Sequence, residues 1–433
     1  MGAFFLYRTD TAVCMEAVEH LFTAKGFGTP HINVFGKWTL LRYQKQLLPH
    51  AQCSVFKQGT SLYSVGTVTY KGLGSREGLE ALCADIQDGR LDHDMLAGAY
   101  CLLVCKDACV TLITDRMNLF HVFTNEEQTV FSSSFAAVLK AGPNKFRLNE
   151  QAIIENLVTG YIIGPDTVAK GVYLIGSRHP LPMKNVDLRL ERPPKIKTSE
   201  PTRKATLAAC VDEQLDVLDT YFSRFSKLVE EAGGVDIGLS GGYDSRVLLL
   251  MAKRHFANVY AHSHFHRMPT ADETCAEKIA AVTGVPLYRC SGAKQPADMD
   301  IEEFERNLEN TAVYNDGRVA HEYSWLLYFR TRWYREAVLR ARRFGMDGLG
   351  GELYRNFDNH LYKTVNVREW AKLHVLGAGI ASSMTDQALN RTLEYTLTKA
   401  GQVLETDFSK RITHHETRRY FGELFSVYGA AVR

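Results

Sequence analysis

Gly238-Leu239-Ser240-Gly241-Gly242-Tyr243-Asp244-Ser245-Arg246-Val247 is the stretch around which the chain is organised. Before it, Val235-Asp236-Ile237 with Gly238-Leu239 reads as a short buried strand. After it, Val247-Leu248-Leu249-Leu250-Met251-Ala252 reads as an apolar helix, so the join is a glycine-rich turn. A strand feeding such a turn and then a helix is suited to holding a phosphate. Gly241 and Gly242 let the backbone turn sharply and approach an anion, and the helix N-terminus offers N–H groups and a favourable dipole. Ser240 and Ser245 add hydroxyl donors, while Asp244 is suited to magnesium and not to phosphate.

Two common nucleotide signatures are absent. No Gly-Lys-Ser/Thr follows the glycines, so the loop is not a Walker loop, and no G-x-G-x-x-G follows the strand, which argues against a dinucleotide site. What stands there resembles the SGGxDS signature of the PP-loop ATP pyrophosphatases, which grip the β- and γ-phosphates and cleave between α and β. The competing reading is a Gly/Ser turn that closes a βα unit without a ligand.

The 433 residues allow two to three domains. Lys plus Arg number 51 against 49 for Asp plus Glu, a balance that gives no electrostatic support to a nucleic-acid or membrane-surface role. The apolar run Ala3-Phe4-Phe5-Leu6-Tyr7 is short and lacks a basic flank, so it does not read as a signal peptide, and no segment approaches the length of a membrane span. Nine scattered cysteines suggest free thiols in a reducing cytoplasm. Cys101, Cys105 and Cys109 recur every fourth residue, but their strand-like surroundings favour a hairpin core over a metal site.

The first 145 residues read as β-rich, with Arg76 to Asp88 as a helix among short strands. The order Leu-Ala-Gly-Ala-Tyr at 96–100, a strand, Thr114-Asp115-Arg116, then Val130 to Phe135 and a short helix to Lys140 is the telling part. Together with the downstream loop it resembles the asparagine synthetase family, in which a glutaminase domain of the N-terminal-nucleophile (Ntn) type precedes a PP-loop synthetase domain. Gly160-Tyr161, Gly164-Pro165-Asp166-Thr167 and Gly171-Val172 are similar to that family's linker. The resemblance implies a degenerate glutaminase-like domain over 1–145, a linker region over 146–205 and a PP-loop domain over 206–433. The fold class expected is α/β: an Ntn-like β-sandwich with flanking helices, then a parallel sheet. A working glutaminase of this family begins Met-Cys-Gly; here the sequence reads Met1-Gly2-Ala3, and Cys14 stands too far inside. Its Asn-Gly element should fall near Val68 to Gly72, where no Asn occurs. Glutamine hydrolysis by that route is therefore not expected.

In the second half, apolar spacing from Thr206 to Glu231 reads as a long helix leading to the loop strand, and Ala257 to Phe265 as a second parallel strand. His262, His264 and His266 alternate along it, which raises a zinc reading without acidic or cysteine partners at ligand spacing. Asp272-Glu273, with Ala276, Ala280 and Gly284, resembles a family helix in which these acids pack and cap. Leu326, Phe329, Trp333, Ala337 and Ala341 form a helical core stripe, and Arg330, Arg332, Arg335, Arg340, Arg342 and Arg343 read as a solvated face. Asp347-Gly348-Leu349-Gly350-Gly351-Glu352 resembles the family's second strand-end loop. By that resemblance, ATP and pyrophosphate would be held by Leu239, Ser240, Gly241, Gly242, Asp244, Ser245, His264, Asp347 and Gly348. Asp244 and Glu352 would be the catalytic pair, sharing Mg2+.

Leu349 departs from the Glu of asparagine synthetases and the Tyr of β-lactam-forming enzymes, so asparagine itself is not the expected product. The family's catalytic lysine has no matching motif; Lys410 lies nearby in sequence without one. The resemblance thus implies a cytoplasmic, ATP-dependent amide-forming ligase without glutaminase activity. It would adenylate a small-molecule or peptide carboxylate and pass it to an amine acceptor or ammonia. β-Lactam synthetases and lasso-peptide macrolactam cyclases share this design. Assembly as a homodimer or with a partner biosynthetic protein stays open, and the alternative is a catalytically inactive nucleotide-binding scaffold.

Overall fold

The computed structural model describes residues 2–44, 53–142, 146–176, 181–194, 206–264, 270–290, 298–316, 343–348, 365–366, 383–407 and 411–412. Its first part contains β1 (Ala3–Arg8), α1 (Met15–Ala24), β2 (His31–Phe35), β3 (Trp38–Tyr43), β4 (Ser54–Lys57), β5 (Thr60–Tyr70), α2 (Ser75–Gln87), β6 (Leu96–Lys106) and β7 (Cys109–Thr114). β8 (Val122–Asn125), β9 (Val130–Ser132), α3 (Phe135–Ala141), α4 (Glu150–Thr159), β10 (Val172–Ile175) and β11 (Leu188–Glu191) follow. Six strands form one sheet in the order β10-β8-β9-β1-β3-β2, and five form a second in the order β11-β7-β6-β5-β4.

β1 shows how sequence dictates this sandwich. Phe4 and Leu6 enter the core between the sheets with Trp38, Leu40, Val65, Leu103 and Leu112. Phe5 points the other way, into a layer with Val18, Phe22 and Val138 from α1 and α3. Both faces are covered, so the strand is apolar throughout instead of alternating, which explains the run that opens the sequence. The second sheet repeats the pattern: Leu62, Tyr70, Leu102 and Val104 pack against Leu79, Leu82 and Cys83 of α2. The result is four layers, helix–sheet–sheet–helix, matching the expected sandwich with flanking helices.

Cys101 and Cys105 point into the inter-sheet core, and burial pushes the Cys105 thiol up to about 12 and the Cys101 thiol higher still. Thiolates are the metal-binding form, so these positions belong to the core, as the hairpin reading expected. The stretch 146–205, read above as a linker, contributes to both sheets. β10 pairs antiparallel with β8, and β11 pairs parallel with β7.

The second part runs through α5 (Leu207–Glu231), β12 (Val235–Gly238), α6 (Tyr243–His255), β13 (Val259–His264), α7 (Ala271–Thr283), β14 (Leu287–Cys290), α8 (Ile301–Tyr314), β15 (Phe344–Met346) and α9 (Asp386–Leu404). Its four-stranded sheet has the order β14-β13-β12-β15, with every pairing parallel. Val235, Ile237, Leu239 and Ala261 face Phe222, Phe225, Leu249, Met251 and Ala276 of the surrounding helices. The long helix read from Thr206 to Glu231 is present, with Thr206 as its cap accepting from the Ala209 amide. Among the described residues, no helix is long and apolar enough to cross a membrane.

Candidate functional site

From β12 the chain runs through α6 to β13 and through α7 to β14, all on one side. β15 then joins on the opposite side of β12. The strand order therefore reverses between β12 and β15, and in open parallel sheets the crevice beyond the strand ends at such a reversal is where ligands bind. Ser240–Gly242 leave β12 there, and Asp347–Gly348 leave β15 beside them. A Cβ on Gly348 would lie 3.3 Å from the Asp244 carbonyl carbon and from the Ser245 amide nitrogen. The two loops therefore pack closely, and a side chain at 348 would press on the Asp244–Ser245 backbone.

The first loop is held by its own hydroxyls. Ser245 Oγ accepts from the Ser240 amide at 3.2 Å, and Ser240 Oγ accepts from the Gly242 amide at 3.1 Å. Ser245 is buried and its Oγ lies 3.1 Å from that of Ser240, so the two serines shape the turn. Gly242 is the N-cap of α6 without a capping side chain, which leaves the helix start to the loop backbone. Leu239 differs from its expected role: its side chain is core and its amide donates to the His262 carbonyl, so its contribution is to position the loop.

Asp244 is half-buried in the first turn of α6, and Asp347 is exposed at the end of β15. Oxygen donors of this kind suit Mg2+, which commonly takes one or two carboxylates and completes its shell with phosphate and water. Among the described residues, no cluster of three or more His, Cys, Asp or Glu is arranged to hold a metal ion by itself. Asp244 with a bound polyphosphate fits this donor chemistry. Glu352, its expected partner, lies outside the described residues, as do Leu349, His266, Lys410 and the stripe from Leu326 to Ala341 with Arg330, Arg332, Arg335, Arg340 and Arg342. Arg343, read with them as part of a solvated face, is instead half-buried, with its guanidinium stacked over the Tyr260 ring of β13.

His264 ends β13 at the same sheet edge, half-buried. His262 is buried, with Nδ1 3.0 Å from Asp236 Oδ1 on the neighbouring strand. The two imidazoles meet edge to face at 5.9 Å. His262 is thereby committed to an Asp–His pair beneath the loop, which accounts for it without zinc.

Two side chains reach this site that the sequence did not assign to it. Arg246 donates from Nε to the Gly242 carbonyl at 3.2 Å, and its guanidinium lies 4.2 Å from the Tyr243 ring centroid, bringing a cation to the loop. Asp272 was expected to pack and cap with Glu273. Glu273 does so, forming a capping box with Thr270 at the start of α7. Asp272 instead turns to the loop, and its Oδ1 accepts from the Gly241 amide at 2.7 Å. Arg246 could have been noticed as a charge at the helix start. The loop contact of Asp272 gave no signal, because its partner is 31 residues away.

No protein-family model matches this chain, and no curated protein matches it. Among solved structures, it is similar to the glutamine phosphoribosylpyrophosphate amidotransferase from B. subtilis, complexed with ADP and GMP. The TM-score is 0.26 at 12% sequence identity, covering 68% of this chain and 94% of that one. So loose a likeness assigns neither activity nor ligand.

Proposed function

We propose that the crevice between β12 and β15 binds magnesium-ATP, and that the protein uses it to form an amide bond. A carboxylate attacks the α-phosphate, pyrophosphate leaves, and an amine or ammonia then displaces AMP. The observation that carries this reading is the Ser240–Ser245 turn at the strand-order reversal, with Gly348 packed on Asp244. In this reading the Ser240–Gly242 amides exchange their internal acceptors for oxygens of the leaving phosphates, Ser245 keeps the turn in shape from beneath, and Asp244 holds the metal. Glu352 is the second acidic ligand on the strength of the sequence resemblance.

Nitrogen would come from free amine or ammonia. β1 carries no cysteine, and Cys14, the first in the sequence, stands beyond its far end as the N-cap of α1. The amide-forming, asparagine synthetase-like reading also accommodates the four-layer sandwich that precedes the parallel sheet.

Product analysis tests the reaction. Incubation with ATP, Mg2+, ammonia or a primary amine, and a panel of amino acids bearing a second carboxylate should yield AMP and pyrophosphate in equal amounts together with the amide. Glu352→Gln should lower that rate by roughly a hundredfold, as loss of one charge-stabilising group does in comparable sites. Formation of ADP and phosphate would place the cleavage at the wrong bond and sink the proposal. ATP binding with no turnover across the panel would favour the scaffold reading.

A further inference from the structure

Three consecutive amides follow β12, and all three have acceptors from within the chain. Those of Ser240 and Gly242 use neutral serine hydroxyls of the same turn. The Gly241 amide uses the carboxylate of Asp272, a full negative charge delivered by α7. We propose that Asp272 is a resident competitor for the anion seat. The loop accepts a polyphosphate only as Asp272 releases Gly241, and it favours one carrying a divalent cation over the free anion. This rests on the reading of the loop as a phosphate site.

The approach of α7 is built into the sequence. A Cβ on Gly241 would lie 2.7 Å from Asp272 Oδ1 and 3.0 Å from the Cys275 Cβ, so glycine is what permits the contact. The start of α7 keeps its cap without Asp272, because the Thr270 and Glu273 side chains accept from each other's amides. A carboxylate hydrogen-bonded to a loop amide is a charge-assisted acceptor, stronger than the neutral hydroxyls beside it. An incoming phosphate oxygen needs the same N–H group and meets the charges of Asp272 and Asp244 together. A metal-complexed polyphosphate arrives with much of its charge neutralised and suffers less from both. Asp272 thus sets the class of ligand: magnesium pyrophosphate or a magnesium nucleoside triphosphate, against free phosphate and metal-free pyrophosphate.

Calorimetric titration with pyrophosphate decides it, run with Mg2+ and again with chelator, and with magnesium-ATP as a second ligand, on wild type, Asp272→Ala and Asp272→Asn. Wild type should bind the magnesium complex and take metal-free pyrophosphate at least about tenfold more weakly. Asp272→Ala should tighten metal-free binding by about tenfold and narrow that gap, with Asp272→Asn falling between because it keeps an acceptor but loses the charge. Both variants should melt near the wild-type temperature, since the helix cap is intact. Unchanged or weaker binding in the variants, with wild type binding normally, overturns this inference and leaves the phosphate site standing. Absence of pyrophosphate and magnesium-ATP binding in all three proteins overturns both.

Discussion

At the scale of single residues, the fold relies on positions where only a particular side chain fits. Gly66 in β5 and Gly98 in β6 both adopt positive φ, 86° and 119°, within paired strands. A Cβ on Gly98 would collide with the Thr67 carbonyl, and one on Gly66 with that of Ala99. Gly98→Ala should therefore destabilise the protein by roughly 2–3 kcal/mol, combining strain with displaced backbone. Denaturant unfolding reads this directly, and a loss below half a kcal/mol would show that the strand pair yields easily. Gly98 belongs to the Leu-Ala-Gly-Ala-Tyr run that marked the first half in the sequence, although its conformation was not legible there. The Ser240–Ser245 turn was legible because strand, glycines and helix are contiguous. Asp272's contact and the Asp236–His262 pair were not, since each joins elements that meet only after the sheet has formed.

Among the elements, boundaries encoded by local chemistry were readable. α2 lies within one residue of the helix read from Arg76 to Asp88, and α5 begins after its Thr206 cap. α7 ends where expected, at Gly284, whose φ of 67° is the left-handed C-cap conformation. The docking of elements was not readable, because it depends on distant partners. Glu231, the last residue of α5, accepts from the Ser75 amide with both carboxylate oxygens and caps α2, whose own N-cap is the glycine Gly74. Asp316, just past α8, reaches the start of α3, where Ser134 Oγ donates at 2.6 Å and the Ala136 amide at 3.2 Å. The mostly buried Lys25 Nζ lies 2.9 Å away. Asp316→Ala removes that carboxylate from a buried ammonium and should cost roughly 3 kcal/mol. Asp316→Asn should cost less, because it keeps the acceptor and tolerates the positive φ of 56° at this position. Equal stability of the alanine variant and wild type would mean that the contact does not join α8 to the sandwich.

Across the whole molecule, the two parts are tied by buried charge as well as by apolar contact. Lys399 of α9 lies 2.7 Å from Glu155 of α4 and 3.1 Å from Asp166, to which the Tyr395 hydroxyl also donates. Burial, with Asp166 adding repulsion, pushes the Glu155 carboxyl up to about 7 against the opposing pull of Lys399 and the Ile163 amide. The folded protein then holds a proton that the unfolded chain gives up near the ordinary value of 4.5. The sign follows: this group's contribution is fully present below about 4.5 and is lost as pH rises through about 7. Wild-type stability should fall across that window, and Glu155→Gln should flatten the fall; parallel profiles would contradict the assignment. The crevice between β12 and β15 is where the two parts of the parallel-sheet unit would meet a nucleotide. The most direct measurement is calorimetric titration of the wild type and Asp244→Ala with ATP, with and without Mg2+. Magnesium-dependent binding to the wild type, abolished in a variant that still melts cooperatively, is the predicted result. Equal ATP affinity in the two proteins would contradict it.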